Sequence, residues 1–160
     1  MKKAIELKSD YPEDYNKTRC AERGRTVEAI ALFERAILLR PDFAPAHYNL
    51  GCLFNRLQKF KQAVAPLELA IKIEPNNANT YSELAYALSQ SKKYEAAIEQ
   101  LRKAVELAPQ NANTRFYLVQ LYLLNRDKQS ALNQYRKIVA LNSPLAKQLY
   151  AAVYVDLLVE

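Results

Sequence analysis

The chain has 160 residues, of which half are hydrophobic and only two are glycine. That apolar content suffices for the core of one domain, whereas glycine-rich phosphate loops and turn-rich β architectures need more glycine. The net charge is +6 without a run of five like charges, so the composition favours an all-α protein with a solvated surface over a nucleic-acid-binding protein.

Cysteine and histidine are too scarce for a structural zinc site. The chain has Cys20, Cys52 and a single histidine, His47, and it contains no CxxC pair. The first residues lack the apolar segment of a signal peptide, and no stretch approaches the ~20 apolar residues that span a membrane. We therefore predict a cytoplasmic protein that needs neither a metal ion nor a cofactor and has no membrane partner.

The first elements along the chain are an irregular segment and a regular helix. Residues 12–23 carry polar side chains where a packed helix needs apolar ones, which predicts a short or shifted helix. A regular helix is predicted over residues 26–39, because Ala29 and Phe33 lie on one face at helical spacing. Pro41 follows the end of this helix, where a proline stops helical hydrogen bonding.

A 34-residue period governs the middle of the chain. Pro41, Pro75 and Pro109 follow one another at intervals of 34 residues. The repeats that this spacing defines are residues 44–77, 78–111 and 112–145. Corresponding places in them hold similar residues, most clearly the seventh, eighth and twentieth: Leu50, Leu84 and Leu118; Gly51, Ala85 and Val119; Ala63, Ala97 and Ala131.

Each repeat encodes two helices joined by a short turn. In the first repeat Leu50, Phe54 and Leu57 recur at helical spacing and define the apolar face of one helix. The proline at the end of the repeat stops the second helix, and Pro66, inside that helix, predicts a mild outward kink. The predicted helix pairs are residues 44–57 with 60–73, 78–91 with 94–107, and 112–124 with 128–140.

This pattern resembles the tetratricopeptide-repeat family, whose signature places Leu-Gly, an aromatic residue, alanines and a proline at these positions. The resemblance implies an all-α, right-handed solenoid of antiparallel helix pairs that forms a single domain over residues 1–160. Residues 1–43 would then be degenerate repeat material. Ser143 and Pro144 favour a helix start, so residues 144–159 are predicted to form a C-terminal capping helix.

In that family the first helices of successive pairs line a concave groove. The resemblance assigns these residues to the groove: Tyr48, Asn49, Cys52, Arg56, Asn79, Glu83, Tyr86, Gln90, Phe116, Tyr117 and Gln120. Aromatic residues are typical binding anchors, and Tyr150 or Tyr154 would extend the aromatic stripe. Phe116 alternatively packs beneath the capping helix. A family subclass clamps a C-terminal carboxylate with Lys and Asn where this chain has Tyr48 and Cys52, so that ligand is disfavoured.

We therefore predict a non-catalytic adaptor that binds a peptide or protein segment in the groove. His47 occupies a place that the family buries, and we expect it to pack rather than to act as a base. One alternative is a self-assembling scaffold that associates through its ends, where Tyr150, Val155 and Val159 would be exposed. Another is the recruitment arm of a larger enzyme. Nucleic-acid binding is disfavoured by the dispersed charge.

Overall fold

The computed structural model describes residues 26–158, with side chains for residues 27–154. This part of the chain forms eight helices and no strand: α1 (Thr26–Leu39), α2 (Ala44–Arg56), α3 (Phe60–Ile73), α4 (Ala78–Gln90), α5 (Tyr94–Leu107), α6 (Ala112–Leu124), α7 (Lys128–Ala140) and α8 (Leu145–Leu158). The predicted helices are thus confirmed. The irregular helix predicted for residues 12–23, and Cys20 within it, lie outside the described residues.

The chain divides into two compact units, Met1–Asn76 and Asn77–Glu160. In the first unit α2 packs against both α1 and α3. In the second unit α5 packs against α4 and α6, α7 packs against α6, and α8 lies against both α6 and α7. Helices that are consecutive in the chain are therefore packing partners within each unit, as the predicted helix pairs require.

Gly51 sets the close approach of α2 and α3. A Cβ atom added at Gly51 would lie 2.4 Å from Cγ of Leu67, a side chain of α3 that is fully buried. The two helices are therefore closer at this point than a side chain on α2 would allow. The same eighth place holds Ala85 in α4 and Val119 in α6, and both are buried.

The turns after α2, α4, α6 and α7 share one hydrogen-bonded geometry without glycine. Each contains a residue with positive φ: Gln58 at 59°, Lys92 at 60°, Arg126 at 59° and Asn142 at 52°. After α2, the N–H of Lys59 donates to the carbonyl of Phe54 at 2.9 Å, and the N–H of Gln58 donates to Asn55 at 3.0 Å. This is the Schellman arrangement, which satisfies the last carbonyls of a helix.

Replacing Gln58, Lys92 and Arg126 by glycine is expected to stabilise the chain. Each substitution should raise the free energy of unfolding by about 0.5–1 kcal/mol, because relief of the left-handed strain outweighs the added entropy of the unfolded chain. Urea unfolding followed by circular dichroism measures the change. Gln100→Gly in the interior of α5 is the control and should cost about 1 kcal/mol. A loss of stability in Gln58→Gly would contradict the prediction.

Pro66 lies inside α3 without ending it. A proline has no N–H to offer the carbonyl of Gln62, so one helical hydrogen bond is missing. The helix nevertheless continues to Ile73, and its buried residues Leu67 and Ala70 lie beyond the proline. Packing of this face holds the helix together, while the kink itself stays a prediction.

The C-terminal helix α8 has the register of a further first helix. Counted in the 34-residue period, Leu149 and Val153 take the fourth and eighth places, and both are buried. The N–H of Leu145 donates to Oγ of Ser143 at 3.4 Å, as expected of a serine before a helix. Because α8 lies against α6 and α7, the predicted capping helix is confirmed.

Candidate protein-binding surface

In the first unit, α2 presents its groove places on the side away from its core residues. Tyr48, Asn49 and Cys52 are half-buried, and Arg56 is exposed one turn later. Asn55 stands at the twelfth place of the repeat, which the family resemblance also assigns to the groove, but here it is buried. The part of α2 that remains accessible is therefore a short stripe of mixed aromatic and polar character.

In the second unit, α4 carries a mainly polar stripe. Asn79, Glu83, Tyr86 and Gln90 are spaced at i, i+4, i+7 and i+11, which places them on one helix face. Glu83 is half-buried and the other three are exposed, Tyr86 to 45%. The phenol ring of Tyr86 is thus the large apolar group among carboxamide and carboxylate neighbours.

The recurring asparagines before α4 and α6 are helix caps. Oδ1 of Asn77 accepts a hydrogen bond from the N–H of Asn79 at 3.1 Å. Oδ1 of Asn111 accepts from the N–H of Asn113 at 3.0 Å and from that of Thr114 at 3.2 Å. These bonds fix where each helix begins, and so fix which side chains occupy the groove places.

The stripe on α6 is aromatic and apolar. Tyr117, Gln120 and Leu124 are exposed along one face, Tyr117 to 55% and Leu124 to 62%. The rings of Phe116 and Tyr117 meet edge to face, with centroids 5.9 Å apart. Phe116 is half-buried, so it supports the more exposed ring of Tyr117.

Three tyrosines connect the core of the second unit to its surface at α8. The rings of Tyr150 and Tyr154 are tilted by 35° with centroids 4.8 Å apart. Tyr154 also meets the buried ring of Tyr135 in α7 edge to face at 5.8 Å. Tyr150 is 59% exposed. For the predicted association residues Val155 and Val159, the side chains lie outside the described residues.

Burial raises the pKa of two tyrosines in the second unit. The pKa of Tyr135 is raised from 10.0 by desolvation, and then by the neighbouring Tyr154 and Tyr150. Desolvation also raises the pKa of Tyr122, where Asp127 adds to the shift and Arg102 opposes it. The folded protein therefore holds these phenol protons more strongly than the unfolded chain does.

Stability is expected to fall as the pH rises above about 10, the ordinary tyrosine pKa. The raised pKa values mean that the folded state binds more protons there, so the free energy of unfolding decreases with pH. Urea midpoints measured between neutral pH and about pH 11 would show it. Tyr135→Phe should reduce the slope, while Tyr94→Phe, for a half-buried tyrosine of α5, is the control. Equal slopes in the wild type and Tyr135→Phe would contradict this cause.

The fourth place of a repeat carries polar side chains that bind the preceding turn. Nε2 of His47 lies 2.8 Å from the carbonyl oxygen of Pro41, and since a carbonyl only accepts, Nε2 carries the hydrogen. At the same place in the third repeat, Nε and Nη2 of Arg115 donate to the carbonyl of Pro109 at 3.1 and 2.8 Å. The packed role predicted for His47 is confirmed.

Arg115 also donates from Nη1 to Oε1 of Gln134 in α7 at 2.8 Å. The residue is buried, and desolvation lowers the pKa of its guanidinium below the ordinary value of arginine. Sequence reasoning missed this residue, although its signal was present: a charged side chain stands at a place that the other repeats fill with His47 and Tyr81.

Among residues 26–158, no helix is long and apolar enough to cross a membrane. In the same part of the chain, His, Cys, Asp and Glu side chains form no cluster of three that could hold a metal ion.

A family model described as a tetratricopeptide repeat matches residues 44–77 and 78–111. A second model, described as a TPR repeat, matches residues 19–58. Together the matches run from residue 19 to residue 111, more than half of the 160-residue chain. The chain belongs to the tetratricopeptide-repeat (TPR) family. TPR repeats are protein-interaction modules, and membership of the family gives this chain the role of such a module.

Solved structures of TPR proteins share this fold. A protein described as MamA RS-1 ArsTM double mutant is 24% identical with a TM-score of 0.80, over 88% of this chain and 80% of that chain. MamA from residue 41 onwards, from Desulfovibrio magneticus RS-1, is 26% identical with a TM-score of 0.77, over 87% and 79%. YrrB, described as a TPR protein with an unusual peptide-binding site, is 22% identical with a TM-score of 0.76, over 88% and 73%. The predicted all-α solenoid class is thus confirmed. No curated protein is significantly similar in sequence.

Proposed function

We propose that this TPR chain binds a segment of another protein along the exposed stripes of its first helices. The observation that carries the proposal is the exposure of aromatic rings at groove places, led by Tyr86 in α4 and Tyr117 in α6. Exposed aromatic side chains are the usual anchors of protein interfaces, because they bury a large area at a small entropic cost. The groove residues predicted from the sequence are therefore the proposed contact residues.

Polar groups beside the rings suit an extended peptide backbone. Asn79 and Gln90 on α4 and Gln120 on α6 are exposed carboxamides, which both donate and accept hydrogen bonds. In the first unit, next to Tyr48, the half-buried Asn49 adds a carboxamide, and the exposed Arg56 adds a guanidinium, which only donates hydrogen bonds. YrrB is a precedent for peptide binding on this fold, while the residues proposed here come from this chain alone.

The proposed role is non-catalytic. His47 is buried, and its Nε2 donates its hydrogen to the carbonyl of Pro41, so the ring is held in a packed position rather than presented to a substrate. Two alternatives from the sequence stay predictions: self-association through Tyr150, Val155 and Val159, and service as the recruitment arm of a larger enzyme. The first has support in the exposure of Tyr150.

Tyr86→Ala is expected to reduce the amount of captured partner about tenfold or more, the loss of a moderate binding hot spot. The measurement is affinity capture from native lysate with quantitative mass spectrometry. Leu69→Ala is the matched control. Leu69 and Tyr86 are almost equally exposed, at 46% and 45%, but Leu69 lies on α3, the second helix of its pair, whereas Tyr86 lies on α4, a first helix. Equal capture by wild type, Tyr86→Ala and Leu69→Ala would contradict the groove as the binding face. Unchanged melting curves establish that each variant is folded.

A further inference from the structure

The positive charge is concentrated in α6, α7 and α8. The sequence has no run of five like charges, so this concentration becomes evident only when charges are counted helix by helix. Residues 26–111 carry ten basic and nine acidic residues, a net charge of +1. Residues 112–158, which comprise α6, α7, α8 and the turns between them, carry six basic and two acidic residues, a net charge of +4. Of those six, Arg115 is buried, while Arg126, Arg136, Lys137 and Lys147 are exposed.

The same helices carry the most exposed large apolar side chains described for residues 77–154, which are Tyr117, Leu124 and Tyr150. Tyr117 and Leu124 belong to α6, Tyr150 belongs to α8, and α6 and α8 are in contact. We use the name aromatic shelf for these three side chains together with Tyr154, which the ring of Tyr150 contacts. Exposed apolar patches commonly mark interaction sites.

Lys147 adds a positive charge on the same face of α8. Lys147, Tyr150 and Tyr154 are spaced at i, i+3 and i+7, so they lie along one helix face. Lys147 is also in the first turn of α8, where the helix dipole contributes further positive potential. α6 contains no acidic residue, and α8 contains one, Asp156, near its C-terminal end.

We propose that the aromatic shelf binds an acidic linear segment of a partner protein through one large apolar anchor residue. The anchor packs against the rings of Tyr117 and Tyr150, and carboxylates beside it lie near Lys147 in the positive potential of residues 112–158. Electrostatic complementarity of this kind selects partners and speeds association. This inference rests on the proposed function and names the chemistry of its ligand and the part of the surface that holds it.

A peptide fits this surface better than a single-stranded nucleic acid does. Nucleic-acid grooves combine free aromatic faces with a continuous basic track along the backbone. Here the rings of Tyr150 and Tyr154 already contact each other, Leu124 offers no stacking face, and Lys147 is the basic residue on the stripe of α8. A peptide with one apolar anchor residue and a few flanking carboxylates matches these groups more closely.

The test uses the full chain and two synthetic peptide pools, each with a central tryptophan. One pool has only glutamate and aspartate beside the tryptophan, and the other has only lysine and arginine. Because the chain contains no tryptophan, the fluorescence of the probe reports binding selectively. We expect the acidic pool to bind at least about tenfold more tightly than the basic pool, and salt to weaken it. An acidic pool with serine in place of tryptophan should fail to displace the fluorescent acidic pool, because it lacks the apolar anchor.

Variants then locate the contact. Tyr150→Ser and Lys147→Glu should each weaken the acidic pool about fivefold or more. Lys137→Glu is the matched control, because it changes the net charge equally on the exposed side of α7, and its effect should stay below about twofold. Equal losses in the two lysine variants would overturn the proposal, because net charge alone would then explain binding.

Three further results would overturn the inference. Equal affinity for both pools would contradict the acidic chemistry. If a poly(dT) oligonucleotide bound more tightly than the acidic pool, and Tyr150→Ser weakened that binding, the shelf would be a nucleic-acid site. A molecular mass that rises with protein concentration and is lowered by Tyr150→Ser would assign it to a second copy of the chain. In each case, loss of native partners in Tyr86→Ala would still support the proposed function.

Discussion

Arg115→Ala is expected to lower the free energy of unfolding by about 3 kcal/mol, through lost packing of the buried stem and lost hydrogen bonds. The guanidinium joins the carbonyl of Pro109, in the turn before α6, to Oε1 of Gln134 in α7. Removing it leaves two acceptors without their donor and opens space between the turn and the helix pair. Urea unfolding followed by circular dichroism measures the loss.

Two companion variants separate the causes. Arg136→Ala removes an exposed arginine from α7 and should change stability by less than about 0.5 kcal/mol. Arg115→Tyr introduces the residue found at the same place in the second repeat, Tyr81, and should cost less than Arg115→Ala because a phenol is large and can donate a hydrogen bond. If Arg115→Ala behaves like Arg136→Ala, the linking role of Arg115 is wrong.

Gly51→Val is expected to destabilise the first unit by about 3 kcal/mol, at the upper end of the cost of overpacking. Its Cβ would meet Cγ of Leu67 at 2.4 Å and Cδ2 at 2.7 Å. Leu67 is fully buried, so relief requires α2 and α3 to move apart. Urea unfolding again provides the measurement, and the gain in helix propensity over glycine offsets only a few tenths of a kcal/mol.

The double variant Gly51→Val with Leu67→Ala tests the cause directly. Leu67→Ala alone should cost about 2–5 kcal/mol, as other buried leucines do. If Leu67 is the obstacle, the shortened side chain makes room for the valine, and the double variant is more stable than the sum of the two losses predicts. Strictly additive losses would show that the introduced valine side chain is excluded by something other than Leu67.

The helix pairs were predictable because their signals are local. Leucine at the seventh place and alanine at the twentieth place repeat at helical spacing, and a helix needs only such a face to be assigned. The prolines mark helix ends for an equally local reason, since they remove an N–H and restrict the preceding residue. The bounds of α3, α5 and α7 therefore follow the sequence closely.

The candidate surface was only partly predictable. Tyr86 and Tyr117 were assigned to the groove by their places, and both are exposed. Leu124 also stands at a groove place, the thirteenth of its repeat, but its place alone did not indicate that it is more exposed than either tyrosine. The linking role of Arg115 was missed, because its partners Pro109 and Gln134 are brought together only by packing.

The 34-residue period determined by itself that this chain is a stack of helix pairs, because the period and the helical spacing are properties of the chain alone. Packing decided how much of each side chain remains accessible, since burial depends on which helix lies opposite. Gly51 is tightly confined only because Leu67 faces it, and Tyr150 contributes to a surface only because α8 lies against α6 and α7. The aromatic shelf and its positive surroundings are therefore products of the tertiary structure, built from residues that the sequence spaces along separate helices.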